Sequence, residues 1–554
     1  TIKHLSINGQ EHKRMTANSV IGEANHRESD LLAFQIAIEK GNPGSVMCAY
    51  NLVNGVYACE NAALLNRTLK KDWGYKGWVM SDWGAVHSLD ALTNGLDQQS
   101  GEQLDKQVFF DKPLKDAVAA GSIPQSRVTD AARRILRAMF ANGLFDNPPA
   151  KSDIDFESHA KVALAQTEEG IVLLKNEGVL PLARSGRKIA VIGQHVDAGV
   201  PSGTGSSQVT NPWRPSATTQ VRNVPMGGEG MMAAWSNIVF HPSPPLAAMR
   251  ARFQTEKPAG TGAASDLLAP PAPSPVTFNN GINAESAAAD ARDADVAVVF
   301  VYQPSGEGDD VPNMALPFGQ DALIEAVAAA NPNTIVVLQT GNAVRMPWAG
   351  KVKGIVQAWY SGSMGGEAIA RVLFGEVNPS GRLPLTWPTD ESQLPRPSIP
   401  GVDAPANSRV EVNYDIEGSD VGYRWFAREG KTPRYWFGHG LSYTTFAHSG
   451  LQVTGGQSVS ATVSVTNSGK VAGSDVVQLY LVEKPDGPRR RLLAFEKVAL
   501  QPGESQQVKL TVDPRLLAEF DEKAHGWRID GGTYRIGIGR DAGTIEQIQT
   551  VRLA

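Results

Sequence analysis

The chain has 554 residues, of which 42% are hydrophobic and 20% charged, and its formal net charge is −5. This length is too great for one hydrophobic core and predicts about three or four domains of ordinary size. The charge balance leaves no basic surface for nucleic acid, and no stretch reaches the roughly 18 consecutive apolar residues of a membrane-spanning helix. The sequence therefore predicts a multidomain protein that binds neither nucleic acid nor membranes.

Short strand-like runs alternate with helical stretches over residues 1–146. The runs 45–49 and 78–81 have the length of buried strands, and 28–39 and 127–142 are helical in pattern. This alternation predicts β-α units around a parallel sheet. A complete (β/α)8 barrel takes about 250 residues, so this segment corresponds to only part of one.

The stretch from Gly77 to Ala85 ends a predicted strand with a carboxylate. The apolar run 78–80 leads into Ser81, and Asp82 and Trp83 follow. A carboxylate at the carboxyl tip of a barrel strand is typical of a catalytic group. An Asp that caps the next helix is an equal alternative on the local pattern alone.

Two other predicted strand ends carry polar side chains. Lys3 and His4 are adjacent at one of them, and Tyr50 follows the apolar run 46–49 at the other. Lys3 and His4 are able to donate hydrogen bonds to the hydroxyls of a bound sugar, although each taken singly also suits a surface or a satisfied core position. The spacing from His4 to His12 does not match the HExxH zinc pattern.

The chain has two cysteines, Cys48 and Cys59. They suit either a disulfide across a loop in an oxidising compartment or two buried thiols. Two cysteines cannot form a four-ligand zinc site, and neither belongs to a CxxC motif.

A second α/β block follows the turn-rich linker 147–159 and extends over 160–388. A helix is predicted over 160–175, strands over 188–193, 296–302, 334–338 and 354–359, and helices over 319–330 and 366–374. This order predicts a doubly wound sheet. The Pro-, Ala- and Gly-rich stretch 256–275 is expected to be a surface loop.

An acidic, glycine-rich loop leaves the predicted strand 296–302. Glu307 lies between Gly306 and Gly308, which allow unusual backbone angles that direct the side chain toward another domain. A calcium loop that uses Glu307, Asp309 and Asp310 is a lower-ranked alternative, because EF-hand spacing is absent. An exposed acidic turn without a role is the third interpretation.

The last part of the chain changes character twice. Residues 389–446 are rich in Pro, Gly and aromatic residues and are interpreted as a connector packed on the other domains. Period-2 alternation then appears over 458–469, 475–482, 506–512 and 532–539. Strands at this spacing predict a β-sandwich.

Several of these motifs together resemble the glycoside hydrolase family 3 β-glucosidases. The resembling segments are Lys3-His4 with Gln10-Glu11-His12, Val46 to Asn51, Gly77 to Ala85, Gly95-Leu96-Asp97, Gly170 to Asn176, Ser305-Gly306-Glu307, Leu373 to Pro384 and Phe437 to Phe446. The resemblance implies the C-terminal half of a (β/α)8 barrel over 1–146, the linker 147–159, an α/β sandwich over 160–388, the connector 389–446 and a fibronectin type III-like β-sandwich over 447–554.

The resemblance also implies roles for individual residues. Asp82 corresponds to the nucleophile and Glu307 to the acid/base, and the glucosyl pocket is formed by Lys3, His4, Arg14, Tyr50 and Trp83. The implied activity is that of a retaining exo-acting β-glucosidase on β-glucosides and short oligosaccharides, without metal or organic cofactor. Glu307 is expected to have a raised pKa. A β-xylosidase or other exo-glycosidase of the family is the alternative, and an inactive carbohydrate-binding protein is the alternative of another class.

The chain departs from the family in one respect. The early barrel strands, with a substrate-binding Asp and an Arg, have no counterpart in it. We therefore expect a companion N-terminal fragment that completes the barrel, and a homodimer is also considered. The expected location is the periplasm or the cell exterior.

Overall fold

The computed structural model describes residues 1–206, 208, 222–225, 237–253, 274–405, 408–456 and 458–554. The stretch 256–275, expected to be a surface loop, lies almost wholly outside these ranges. Within them, no helix has both the length and the apolar character needed to cross a bilayer.

The first domain contains a three-stranded parallel sheet in the order β1-β3-β6. The strands of the whole domain are β1 (Ile2–Leu5), β2 (Ala17–Val20), β3 (Ser45–Cys48), β4 (Leu52–Val53), β5 (Val56–Tyr57) and β6 (Trp78–Ser81). Its helices are α1 (Glu23–Glu28), α2 (Asp30–Gly41), α3 (Asp90–Thr93), α4 (Lys112–Ala119) and α5 (Gln125–Ala141), with a π-helix over Ala63–Asp72. All four residues of β3 are buried, as a central parallel strand requires. The predicted β-α alternation is confirmed.

The second domain is built on a six-stranded sheet in the order β12-β8-β13-β14-β15-β7. The strands of this domain are β7 (Val172–Asn176), β8 (Ile189–Ile192), β9 (Val200–Pro201), β10 (Arg222–Pro225), β11 (Asn237–His241), β12 (Val276–Asn279), β13 (Val296–Tyr302), β14 (Thr334–Gln339) and β15 (Gly354–Gln357). Its helices are α6 (Phe156–Gly170), α7 (Pro245–Ala251), α8 (Ala284–Arg292), α9 (Gln320–Ala330) and α10 (Gly365–Leu373).

The predicted helix over 160–175 is wrong in its last part. Helix α6 ends at Gly170, and β7 pairs antiparallel with β15. Ile171, Val172 and Leu173 are all fully buried and divide between the cores on the two faces of the sheet. A short continuous apolar run of this kind occurs in buried strands and buried helices alike, so periodicity does not separate them.

The connector joins the first domain to the last. Its strand β16 (Val410–Asn413) adds to β2 in parallel, and it also contains helix α11 (Tyr423–Arg428). The last domain has strands β17 (Phe446–Thr454), β18 (Ser460–Asn467), β19 (Gly473–Lys484), β20 (Gly487–Leu500), β21 (Ser505–Thr511), β22 (Glu519–Asp521), β23 (Gly526–Arg528), β24 (Gly532–Gly539) and β25 (Ile545–Leu553). The sheets β17-β18-β21 and β20-β19-β24-β25 enclose one core, which confirms the β-sandwich.

Candidate active site

The carboxyl ends of β1, β3 and β6 meet at one edge of the first sheet. Leu5 pairs with Cys48, and Cys48 pairs with Ser81, so the three strands end side by side. Tyr50 and Asp82 follow the ends of β3 and β6, and His4 lies within the last two residues of β1. The strand ends singled out in the sequence therefore converge.

Asp82 is buried and in contact with three neighbours. Its Oδ1 accepts the backbone N–H of Trp83 at 2.8 Å, and its Oδ2 lies 3.3 Å from Nε2 of His4. The Tyr50 hydroxyl lies beside the same carboxylate. The next helix, α3, begins only at Asp90 and is preceded by Leu89 at its cap position, so the helix-cap interpretation of Asp82 is wrong.

The two side chains that face Asp82 are uncharged near neutral pH. Burial lowers the pKa of His4 and outweighs the opposite influence of Asp82, so the imidazole is neutral in this contact. Burial, together with the neighbouring Asp82 carboxylate, raises the pKa of Tyr50. Both groups are therefore suited to hydrogen bonding with Asp82 rather than to neutralising its charge.

Arg14 connects this edge of the first domain to Glu307 in the second. Its guanidinium lies over the Tyr50 ring, 4.7 Å from the ring centroid. Its Nη2 donates to Oε1 of Glu307 at 3.0 Å. Glu307, Arg14, Tyr50, Asp82 and His4 consequently form one continuous series of contacts across two domains.

The surroundings of Glu307 correct one expectation. Burial favours the neutral acid, but hydrogen bonds from the hydroxyl and backbone N–H of Ser206 and from Arg14 outweigh it and lower the pKa of Glu307 to about 2. Oε2 accepts the Ser206 N–H at 2.8 Å and also contacts the Ser206 hydroxyl. With these partners the side chain is an ionised, paired carboxylate, and the expected raised pKa is not present.

A segment of its own domain holds the Glu307 loop from one side. Gly306 forms a parallel bridge with Thr204, and a Cβ on Gly306 would lie 1.7 Å from the Thr204 hydroxyl oxygen. The Glu307 N–H donates to the Thr204 carbonyl at 3.3 Å. Sequence reasoning missed Thr204 and Ser206, since a Ser/Gly/Thr-rich segment is typical of many loops.

Lys3 and Trp83 are the exposed members of the predicted sugar pocket. Lys3 is exposed, and its ammonium has no hydrogen-bond partner among the residues that the structure describes. Trp83 is 37% exposed and offers a free ring surface. Its ring packs on Gly101, where φ is +76° and a Cβ would lie 2.0 Å from Cδ1 of Trp83.

The three carboxylates named for the calcium alternative do not gather into a cluster of metal ligands. Glu307 is bound to Ser206 and Arg14, whereas the carboxylate of Asp310 accepts backbone N–H groups of Glu11 and His12. Across the described ranges, no cluster of three or more His, Cys, Asp or Glu side chains could hold a metal ion.

Cys48 and Cys59 form a disulfide, so the interpretation as two buried thiols is wrong. Cys48 is the last residue of β3, two positions before Tyr50. The bridge closes the turn that follows β3, and both cysteines are fully buried. It therefore restrains the backbone that carries Tyr50.

Three regions of the chain match known protein families. Residues 1–138 match the glycosyl hydrolase family 3 N terminal domain, 171–443 the glycosyl hydrolase family 3 C-terminal domain, and 475–542 the fibronectin type III-like domain. These matches follow the same order as the three domains described above.

Related proteins and solved structures agree with these matches. Thermostable beta-glucosidase B of Acetivibrio thermocellus is 36% identical over all of this chain and 69% of its own length. Exo-alpha-(1->6)-L-arabinopyranosidase of Bifidobacterium longum is 33% identical over 100% and 69%. The structure of DesR, a beta-glucosidase from Streptomyces venezuelae in complex with D-glucose, superimposes with a TM-score of 0.84 at 30% identity and covers 100% of this chain and 81% of DesR. Beta-glucosidase 3B from Thermotoga neapolitana in complex with glucose gives 0.81 at 30% identity, over 100% and 76%. With its sheet edge, its Glu307 loop and these relatives taken together, the chain belongs to glycosyl hydrolase family 3.

Proposed function

We propose that this protein is a retaining, exo-acting β-glucosidase that releases glucose from the non-reducing ends of β-glucosides and short oligosaccharides. The observation that carries the proposal is the series of contacts from Glu307 through Arg14 and Tyr50 to Asp82 and His4, which brings carboxylates of two domains to one site. The relatives named as β-glucosidases, one of them solved with D-glucose, support it.

In the first step Asp82 acts as the nucleophile. Its carboxylate oxygen forms a bond to the anomeric carbon while the bond from that carbon to the departing oxygen breaks. Glu307, in its protonated form, transfers its proton to that oxygen. Retaining glycosidases place the two carboxyl groups about 5 to 5.5 Å apart for this purpose.

In the second step Glu307 acts as a base. It removes a proton from a water molecule, whose oxygen attacks the anomeric carbon and displaces Asp82. The sugar leaves with its original anomeric configuration, and Glu307 is again protonated. Lys3, His4 and Arg14 hold sugar hydroxyls, and the exposed face of Trp83 supports the ring.

The low pKa of Glu307 beside Ser206 and Arg14 has a consequence for this mechanism. A general acid must be protonated, whereas Arg14 and Ser206 stabilise the carboxylate. We propose that sugar hydroxyls take over the hydrogen bonds of Arg14, so that Glu307 loses a cationic partner when substrate binds. Substrate binding then raises the pKa of Glu307 toward the range in which it can donate a proton.

A panel of aryl glycosides tests the substrate class. The relative named as an arabinopyranosidase favours another exo-glycosidase as the second candidate. We expect 4-nitrophenyl β-glucoside to give a higher kcat/KM than the β-xyloside, the α-L-arabinopyranoside and the N-acetyl-β-glucosaminide, and proton NMR to detect β-glucose before its α-anomer. Preference for another sugar would overturn the glucosidase proposal, and glucose binding without turnover would support the carbohydrate-binding alternative.

We propose a companion fragment that completes the barrel, and a homodimer as a second mode of assembly. Strand β1 pairs with β3 on one side, and the structure describes no strand on its other side. Each strand of a closed barrel has two neighbours. We propose that a further polypeptide segment of about 150 to 250 residues pairs there and supplies an Asp and an Arg to the pocket. Native mass spectrometry tests it: an active species with the mass of this chain alone would contradict it, and a doubled mass would support the homodimer.

We also propose a periplasmic or extracellular location. The disulfide between Cys48 and Cys59 supports it, because structural disulfides persist mainly in oxidising compartments. Fractionation of the native cells tests it, and recovery of the protein with cytoplasmic markers would contradict it.

A further inference from the structure

The Glu307 loop has contacts with the first domain that do not involve the Glu307 side chain. The Asp310 carboxylate accepts three hydrogen bonds from the backbone of that domain: Glu11 N–H at 3.2 Å to Oδ1 and 3.1 Å to Oδ2, and His12 N–H at 2.8 Å to Oδ2. Glu11 immediately precedes the turn over residues 12–16, which carries Arg14. Both oxygens of the Asp310 carboxylate are thus engaged by the backbone of the first domain.

Glu11 makes the reciprocal contact. Its Oε2 accepts the backbone N–H of Gly308, the residue after Glu307, at 2.8 Å. The same oxygen accepts Nη1 of Arg14 at 2.9 Å, and Oε1 accepts the Asn8 amide at 3.1 Å. Each segment therefore presents one carboxylate to the backbone N–H groups of the other.

We propose that Asp310 and Glu11 form a reciprocal latch that positions the general acid/base Glu307 relative to the nucleophile Asp82, with Asp310 as its principal positioning residue. The inference rests on the proposed function above. The latch acts on the backbone on both sides of Glu307, so it holds the loop in place when the Glu307 side chain exchanges Arg14 for substrate.

The domain arrangement explains why such a latch is needed. Asp82 belongs to the first domain and Glu307 to the second, and Thr204 and Ser206 hold Glu307 only relative to its own domain. Catalytic groups must be held within roughly 0.5 Å of their working geometry, and a displacement of about 1 Å can cost on the order of 100-fold in rate. Asp310 and Glu11 supply a connection between the two domains that does not depend on the Glu307 side chain and its contact with Arg14.

The dependence of kcat/KM on the leaving group of the substrate distinguishes a misplaced general acid from a general loss of protein stability. Cleavage of phenyl β-glucoside needs a proton donor, whereas 2,4-dinitrophenolate leaves without one. We expect Asp310→Ala to lower kcat/KM for phenyl β-glucoside by roughly 100-fold and for the dinitrophenyl glucoside only a few-fold. Asp310→Asn keeps one acceptor oxygen and should recover part of the loss.

Asp309→Ala is the matched control, because Asp309 is exposed and its carboxylate has no hydrogen bond to the first domain among the described residues. It should behave like the wild type with both substrates. Equal losses of Asp310→Ala on the two glucosides, or no loss on either, would overturn the latch as a positioning device.

Hydrogen exchange provides a readout that does not depend on activity. We expect peptides over 9–13 to exchange roughly 10- to 100-fold faster in Asp310→Ala, and peptides over 306–309 to do so in Glu11→Ala. Unchanged exchange in both variants would overturn the latch. If the wild type cleaves neither glucoside, the proposed function fails while exchange still establishes or rejects the contact.

Discussion

Asp82 and Glu307 are two carboxylates of one site with opposite surroundings. Asp82 lies at a strand end within the first domain, is 6% exposed, and faces the neutral groups of His4 and Tyr50. Glu307 lies on a loop and is bound to the cationic Arg14 and to Ser206, from two different domains. The first is placed by the sheet, whereas the second is placed by contacts between domains.

This difference indicates how the two carboxylates respond to substitutions of the residues around them. A strand end is fixed by backbone pairing, so the location of Asp82 depends little on the side chains around it. The state of Glu307 depends on its partners, because its ordinary acidity is altered by the hydrogen bonds of Ser206 and Arg14. Substitutions should therefore affect Asp82 through chemistry alone, and Glu307 through chemistry and position together.

The largest expected effect tests Asp82 as the nucleophile. Asp82→Asn keeps the shape of the side chain and removes the attacking oxygen, so we expect kcat for aryl β-glucosides to fall by roughly 10⁴- to 10⁶-fold. The circular dichroism spectrum and the thermal midpoint serve as the control and should match those of the wild type. Substantial residual activity in a homogeneous sample would exclude this role.

The next largest effect tests Glu307 as the general acid. The test compares substrates whose leaving groups differ in their need for a proton. Glu307→Ala should lower the hydrolysis of cellobiose by roughly 10²- to 10⁴-fold, while formation of the glucosyl-enzyme from 2,4-dinitrophenyl glucoside is largely retained. Added azide should restore the second step and give glucosyl azide with the β configuration. Equal loss on both substrates, with no response to azide, would assign the acid/base role to another carboxylate.

Much of the fold could be predicted because the pattern and the packing agree. Strand β13 is predicted over 296–302 and occupies Val296–Tyr302, where all seven residues are buried. The end of α6 was misplaced because Ile171 to Leu174 are apolar whichever structure they adopt. Strand β20 was not predicted: its outer residues, such as Phe495 at 65% exposed, break the alternation on which the prediction relies.

The sequence predicts the site residues that directly follow a strand. It does not predict the contacts that join segments distant in the chain. Asp82 could be found from its position after β6. Ser206, Glu11 and Asp310 could not be assigned their contacts, because those contacts join residues about 100 or 300 positions apart, and no local pattern encodes such a pairing. The low pKa of Glu307 was unforeseen for the same reason.

A further prediction concerns the acid stability of the first domain and depends on His26. His26 donates or accepts a hydrogen bond with the Ser6 hydroxyl at 2.8 Å, and burial lowers its pKa to about 3. Between an unfolded pKa near 6.5 and the folded value, the unfolded chain binds more protons, so stability falls as the pH falls, by up to about 5 kcal/mol. Chemical denaturation between pH 7 and 4 measures this slope.

The variant His26→Gln should flatten that slope, since Gln keeps a hydrogen bond to Ser6 and does not titrate. Asp30 acts in the opposite direction: burial raises its pKa to about 6, so its contribution is fully present below the unfolded pKa and is lost as the pH rises through 6. Asp30→Asn should therefore make the acid-dependent loss steeper. Identical slopes for wild type and both variants would show that other groups control acid sensitivity.

The smallest expected effects come from Lys3 and His4. The two residues differ because His4 contacts Asp82 whereas Lys3 is exposed, so their replacements should change different kinetic constants. Each replacement by Ala should cost about 1 to 3 kcal/mol in kcat/KM through lost hydrogen bonds to sugar hydroxyls. His4 contacts Asp82 directly, so His4→Ala should lower kcat as well as raise KM. Lys3 is exposed and makes no hydrogen bond within the described part of the chain, so Lys3→Ala should act mainly on KM. Steady-state kinetics on one aryl glucoside measures both, and unchanged constants for either variant would mean that its side chain faces away from the sugar.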